Sequence, residues 1–160
     1  PTNSTITDAS YTPKSYEINN SSAAQEIVIT TSSTTTGSEV QYIAGSSIYV
    51  EAGGANKDID ITLPENVAGR RYTFICTGAA GSGTHVALSS SVSKTLAAAI
   101  VCEEDGAYAT LASNTGQTVL KFDDQKFNQL TRLVCEADGN NWYVHGLTTV
   151  GSGNLGFSQS

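Results

Sequence analysis

The chain has 160 residues, a formal net charge of −7 and only 14% charged residues. This length favours one domain with enough core to fold without disulfides. The acidic charge argues against nucleic acid, which requires a basic face, and against anionic membranes. Ser, Thr, Gly, Asn and Ala replace strong helix formers, which favours strands joined by tight turns.

The first 38 residues are rich in Ser and Thr and have few apolar positions. Such a segment cannot bury enough apolar surface to offset its ordering entropy on its own. We therefore expect residues 1–38 to form an extended arm with one short strand at "EIVIT", Glu26–Thr30. A plain disordered tail and an arm that becomes ordered on a partner are both compatible with this composition.

Residues 39–150 alternate short apolar runs with Gly, Asp-Gly and Asn turns, the pattern of an antiparallel sandwich or barrel. In "DIDITLP", Ile59, Ile61 and Leu63 share one face and Pro64 ends the strand. Further strands are predicted in the segments "QYIAGSSIYVEAGG", "RYTFICT", "THVALS", "TLAAAIVC", "AYATL", "TVLKF", "LTRLVCE" and "NWYVHGL".

Two segments differ from this pattern. "DDQKFNQL", Asp123–Leu130, is the one plausible helical turn, and residues 151–160 form a Gly/Ser-rich tail that we expect to be extended. The sequence thus predicts an all-β fold, an antiparallel and jelly-roll-like β-sandwich over residues 39–150, with an extended Ser/Thr-rich N-terminal arm.

Two similar segments, "IVCEEDGAYATL" and "LVCEADGNNWYV", each place a cysteine and a glutamate before Asp-Gly. Asp-Gly supplies the positive φ angles that tight hairpins require. We interpret both segments as strand-to-hairpin junctions. Two copies are too few for a repeat protein, which needs three or more stacked units.

The three cysteines, Cys76, Cys102 and Cys135, raise the question of a metal or redox site. An odd number of cysteines cannot all form disulfides within one chain. The sequence also shows no secretory signal that would direct it to an oxidising compartment. Zinc sites use closely spaced Cys or His pairs, and here the cysteines, His85 and His145 are all isolated. We therefore predict reduced core cysteines, no metal site and no cofactor.

No catalytic motif stands out, and we predict no catalytic or cofactor-binding residues. There is no GxSxG elbow, and the glycine loop "GAAGSG" lacks the Lys-Ser/Thr ending of a phosphate loop, so we interpret it as a hairpin loop. Clustered acids are usually solvated turn residues, although counting cannot exclude a glycosidase-like pair; they are Glu103, Glu104, Asp105, Asp123 and Asp124.

The aromatic side chains leave one alternative open. A sugar-binding face would expose Tyr and Trp, whereas a core would bury the same residues. The sequence does not separate these possibilities for the aromatic residues in or beside strands, which are Tyr42, Tyr49, Tyr72, Phe74, Trp142 and Tyr143.

The order of several motifs resembles a β-rich module of tailed-bacteriophage virion proteins, cyanophages in particular. The resemblance covers about Asp58 to Gly146: an alternating strand ending in Leu63-Pro64, then Ala68-Gly69, the strand "YTFI", the glycine loop, and "DGNNWYVHG" near the end. Such modules occur in capsid decoration, head-fibre and tail-fibre proteins. Cys76 and Cys135 stand where an aliphatic residue is expected.

The resemblance implies a non-enzymatic structural protein on the capsid surface of a virion, made in the host cytoplasm. It implies a capsid decoration (cement) protein that binds the major capsid protein, commonly as a homotrimer. The alternative is a tail-fibre or head-fibre domain that recognises a host surface glycan.

Overall fold

The computed structural model describes residues 14–19, 25–91, 95–104, 106–113, 116–123, 125–128, 130–149 and 155–158. These residues form no helix, and hence none that could cross a membrane. They form thirteen strands: β1 Ser15–Asn19, β2 Gln25–Thr30, β3 Glu39–Gln41, β4 Ser47–Glu51, β5 Ile59–Thr62, β6 Arg71–Gly78, β7 Val86–Ser89, β8 Leu96–Glu104, β9 Ala107–Ser113, β10 Val119–Phe122, β11 Arg132–Ala137, β12 Trp142–Thr148 and β13 Leu155–Ser158.

The strands form two mixed sheets. Sheet A has seven strands in the order β1-β4-β6-β11-β12-β8-β9, and sheet B has six in the order β13-β10-β7-β5-β2-β3. The prediction of an all-β chain is confirmed. The prediction of antiparallel sheets holds only in part, because six of the eleven described strand pairs are parallel.

Four of the six parallel pairs arise because the first half of the chain alternates between the sheets. β1, β4 and β6 lie side by side in sheet A, while β2, β5 and β7 lie side by side in sheet B. Each return to a sheet adds a strand parallel to the previous one. This winding differs from the Greek-key connections of a jelly roll, whose neighbouring strands are antiparallel.

The two predicted Asp-Gly hairpins are confirmed in the second half. β8 pairs antiparallel with β9, and β11 pairs antiparallel with β12. Gly106 and Gly139 adopt φ angles of +81° and +99° at the two turns. Asp138 stabilises its turn by accepting hydrogen bonds from the backbone N–H groups of Asn140 and Asn141, both at 2.7 Å.

One buried cluster joins the inner faces of both sheets. The alternation predicted for β5 is confirmed, because Ile59, Ile61 and Leu63 are fully buried. Trp142 lies in this core, where its indole N–H donates to the carbonyl of Pro64 at 3.1 Å. Tyr72 packs against Trp142 with ring centroids 6.2 Å apart.

The described part of the predicted arm belongs to the sheets. β1 and β2 pair with β4 and β5, and they bury Ile18, Ile27 and Ile29 in the common core. Residues 1–13 lie outside the described residues. In the predicted tail, β13 pairs with β10 at the edge of sheet B.

The glycine loop "GAAGSG" is not a hairpin loop, because β6 and β7, the strands it connects, belong to different sheets. The loop stacks instead on residues 52–58, the preceding crossing between the sheets. Asn56 N–H donates to the carbonyl of Ser82 at 2.8 Å, and the Thr84 hydroxyl donates to the carbonyl of Gly54 at 2.7 Å. A Cβ on Gly81 would collide with the backbone of Gly54, so only glycine allows this approach.

The predicted helical turn is also wrong for the described residues of 123–130, which form non-helical turns. Lys126 N–H donates to the carbonyl of Asp123 at 2.9 Å. The side chain of Phe127 points from this loop into the core, where it packs edge to face against Phe122 with ring centroids 5.3 Å apart. Burial of one aromatic ring thus fixes this segment without a helix.

Candidate interaction surface

The outer face of sheet A carries an open apolar depression, which we call the outer patch: Ala99 and Val101 of β8, Val134 of β11 and Leu147 of β12. Leu147 lies directly opposite Val101 in the parallel ladder. These two side chains are 47% and 40% exposed, although both belong to regular strands. A cluster of exposed apolar side chains on a flat sheet is a common feature of binding surfaces.

Basic side chains border the outer patch. Arg132 and His145 line the same depression, and Arg71 lies nearby, paired with Glu136 at 3.3 Å. Glu136 also lies 3.7 Å from the His145 ring. Arg132 makes no ion pair with any described residue. On an acidic chain this surface is therefore locally basic, which suits an apolar partner surface bearing carboxylates.

A second exposed feature adjoins the outer patch. β9 is an edge strand paired only with β8, and its residues 107–110 are exposed on both faces of the sheet. Tyr108 is 75% exposed, the highest exposure of any large apolar side chain described.

The three cysteines lie in the core, as predicted. Cys76, Cys102 and Cys135 are free and buried on β6, β8 and β11. Burial raises the pKa of Cys76 to about 12, against a weaker opposing effect of its hydrogen bond to the Gly78 carbonyl. Burial also raises the pKa of Cys102 and, together with the charge of Glu136, that of Cys135. No metal-binding cluster of His, Cys, Asp or Glu occurs among the described residues.

We expect these thiols to be unreactive in the folded protein. Ellman's reagent at about pH 8 should find no fast-reacting thiol in the native chain and three per chain in denaturant, because only the thiolate reacts. The raised pKa values keep the thiols neutral in the fold, so their contribution to stability is complete below the unfolded pKa of about 8.5 and declines as the pH rises above it. A native thiol that reacts as fast as the denatured protein would contradict this burial.

The two histidines are far apart in the fold. Asp58 and Asp60 hold the ring of His85 from both sides, with Nδ1 2.9 Å and Nε2 3.0 Å from the two carboxylates. Asp58 also accepts the backbone N–H of His85 at 2.9 Å. This arrangement joins the start of β7 to the start of β5 and occupies both ring nitrogens. His145 lies in sheet A beside the outer patch.

The predicted acidic cluster does not converge as far as it is described. Glu103 accepts a hydrogen bond from the Gly106 N–H at 2.7 Å and so stabilises the β8–β9 turn. Asp123 follows β10 in sheet B, whereas Glu103 lies in sheet A. Asp105, Asp124 and the side chain of Glu104 lie outside the described residues.

The structure separates the aromatic residues that the sequence left open. Tyr42, Tyr72, Phe74 and Trp142 are buried, and Tyr49 is half-buried. Tyr143 points outward, 43% exposed, and its hydroxyl donates to the carboxylate of Asp138 at 3.0 Å. The pKa of Asp138 is lowered mainly by the hydrogen bonds from the backbone N–H groups of Asn141 and Asn140. The hydrogen bond from Tyr143 contributes less.

The sequence does contain a signal for the outer patch. Strand alternation that buries Ile100 and Cys102 turns Val101 outward, and alternation that buries Leu133 and Cys135 turns Val134 outward. Apolar residues at outward positions of several strands predict an exposed apolar face. Which strands are neighbours, and hence whether these residues form one surface, depends on the sheet order.

Comparisons with protein-family models, with curated proteins and with solved structures found no match for this chain.

Proposed function

We propose that this protein is a non-enzymatic decoration (cement) protein of a bacteriophage capsid, a β-sandwich that docks on the major capsid protein at the virion surface. The outer patch carries the proposal. It combines exposed Val101 and Leu147 with Arg132, which forms no ion pair within the described part of the chain, and this is the composition expected of a docking face. The order of the strand and turn motifs between Asp58 and Gly146 supplies the link to phage virion proteins.

The docking partner should present an apolar surface with carboxylates opposite Arg132. A stable sheet positions the patch without any conformational change, because its strands are hydrogen-bonded on both sides and anchored by buried residues such as Ile100 and Leu133. Preorganisation of this kind lowers the entropic cost of binding. Arg132 would contribute mainly to orientation and to the rate of association.

Binding to purified capsids that lack this protein tests the proposal. Wild-type protein should co-sediment with the capsids, and Val101→Glu should weaken binding at least about tenfold, because it places a charge at a desolvated contact. Val67→Glu is the matched control, since Val67 is 49% exposed but lies in the loop before β6. Equal binding by the two variants would exclude the outer patch, and no binding by wild type would exclude the decoration role.

The arm requires a separate deletion. Removal of residues 1–36 would also remove β1 and β2 from the two sheets. A loss of capsid binding by that variant could therefore come from misfolding as well as from a lost docking contact. Removal of residues 1–13 leaves every described strand in place. Undiminished capsid occupancy by this shorter deletion would exclude a docking role for those residues.

A receptor-binding fibre domain is the second candidate, favoured by exposed Tyr108 and Tyr143. Aromatic rings on an open surface can stack on sugar rings, and the Asp138 carboxylate that holds Tyr143 can accept hydrogen bonds from hydroxyl groups. Binding to a glycan array that is lost in Tyr143→Ala would favour this function. A decoration protein should give no specific glycan binding.

A further inference from the structure

We propose that two copies of this chain associate through their β9 strands, which pair antiparallel about a twofold axis and join two copies of sheet A into one continuous sheet. The β9 edge, residues 107–113, has an open backbone edge, and its residues 107–110 expose their side chains on both faces of the sheet. Nothing in the described chain covers it.

The β9 edge lacks the features that keep edge strands apart. Folded proteins protect sheet edges with charged side chains, Pro, bulges or very short strands. The other three described edges have such features: β1 carries Glu17, β3 has three residues including Glu39, and β13 has four residues including Gly156. β9 has seven residues, "AYATLAS", without charge, Pro or Gly.

The β9 edge is also complementary to itself. The one antiparallel register that pairs all seven residues is centred on Thr110. In this register Tyr108 faces Ala112 of the second copy on one face, and Leu111 faces Ala109 on the other. A large side chain thus meets a small one at each of these positions, and Thr110 meets itself, a favourable cross-strand pair.

The absence of charged residues on β9 favours an equally uncharged edge, such as that of a second copy, over a charged partner. The chain carries −7, so two copies repel each other over most of their surface. The β9 edge contributes no charge to that repulsion, and Glu103, which lies opposite Tyr108 on β8, accepts a hydrogen bond from the Gly106 N–H at the turn. Added salt should therefore strengthen the association by screening the distant charges.

The twofold contact would also change how the outer patch binds a capsid, and this part of the inference rests on the proposed function. β8 lies next to β9 and carries Ala99 and Val101. Paired β9 strands place both outer patches on the same side of the joined sheet. A dimer would therefore present two docking faces to one capsid surface, which raises the avidity of binding.

Sedimentation analysis of the full chain without capsids tests the dimer independently of the capsid proposal. Wild type should show a monomer–dimer equilibrium. The double substitution Tyr108→Lys with Ala112→Lys places Lys opposite Lys at two positions and should raise the dimer Kd at least about tenfold. The double substitution Tyr108→Glu with Ala112→Glu should do the same.

An equimolar mixture of these two variants should restore dimers, because Lys then faces Glu at both positions. Ser15→Lys with Asn19→Lys is the matched control: both residues are exposed on β1, the opposite edge of sheet A, at the same spacing. It should dimerise like wild type. Monomeric wild type at all concentrations, a trimer as the resemblance implies, or a mixture that stays monomeric would each overturn the β9 pairing.

Discussion

Replacement of Trp142 by alanine should lower the free energy of unfolding by about 3–5 kcal/mol, as truncations of large buried aromatics do. The indole ring is fully buried at the start of β12 and packs against Tyr72. Its N–H also donates a hydrogen bond to the carbonyl of Pro64, which lies two residues after the end of β5 in sheet B. Trp142 therefore packs against another strand of sheet A and connects that sheet, by its hydrogen bond, to the segment that follows β5 in sheet B.

A second variant separates these two contributions. Trp142→Phe keeps an aromatic ring but leaves the Pro64 carbonyl without its donor, and we expect a loss of about 1–3 kcal/mol. Tyr143→Phe is the matched control, because it removes one polar group from the next residue on the exposed side of the strand. Urea unfolding followed by far-UV circular dichroism measures all three variants without relying on the single Trp as a probe. Equal stability of Trp142→Ala and Tyr143→Phe would contradict the core position of Trp142.

Gly81→Ala should destabilise the protein by about 1–3 kcal/mol, the usual cost of overpacking. The added Cβ would collide with the carbonyl group of Gly54, which is backbone and cannot rotate away. The two stacked loops would have to separate, which weakens the hydrogen bonds from Asn56 to Ser82 and from Thr84 to Gly54. Thermal unfolding should show a corresponding decrease in Tm.

Gly53→Ala provides the control within the same pair of loops. Its Cβ would lie 3.9 Å from the carbonyl oxygen of Ala79, an ordinary van der Waals contact. We expect a change within about 0.5 kcal/mol, or slight stabilisation, because alanine reduces the entropy of the unfolded chain. Equal effects of the two substitutions would mean that the loops do not pack in this arrangement.

Local pattern was sufficient to predict the strands. The alternation of Ile59, Ile61 and Leu63 set the buried face of β5, and Asp-Gly with Gly106 and Gly139 set the two hairpins. Side-chain alternation and positive φ angles are properties of neighbouring residues, so they can be predicted from a short stretch of sequence. The cysteines were predicted correctly as core residues because isolated free cysteines pack as small hydrophobic side chains.

Turn composition could not distinguish a hairpin from a crossing between sheets. "GAAGSG" has the glycines of a hairpin loop, but those glycines serve the close stacking of Gly81 on Gly54. Because turn composition does not distinguish these two connections, the parallel pairing of β4 with β6 and of β5 with β7 was not predicted. In this chain a crossing between the sheets has the same short, glycine-rich composition as a hairpin loop, and only contacts between distant segments decide which connection forms.

The described residues before position 38 contribute β1 to sheet A and β2 to sheet B. A Ser/Thr-rich composition reads as an arm because it has too few apolar residues to fold alone. Ile18, Ile27 and Ile29 are nevertheless buried, because β4 and β5 offer strand edges and a core to receive them. The local composition of a segment does not reveal a core that is formed by residues 30 or more positions away in the chain.

The sequence by itself determined the all-β class, most of the strands, the buried face of β5 and the core position of the cysteines, because each depends on the local sequence pattern. Only the tertiary structure decided the order of strands in the sheets. That order brings Val101, Val134 and Leu147 together as the outer patch and leaves β9 at an open edge, and the packing of the inner sheet faces buries Trp142 while Tyr143 stays exposed. Surfaces that bind partners are assembled across strands, so they follow from sheet order rather than from any single segment.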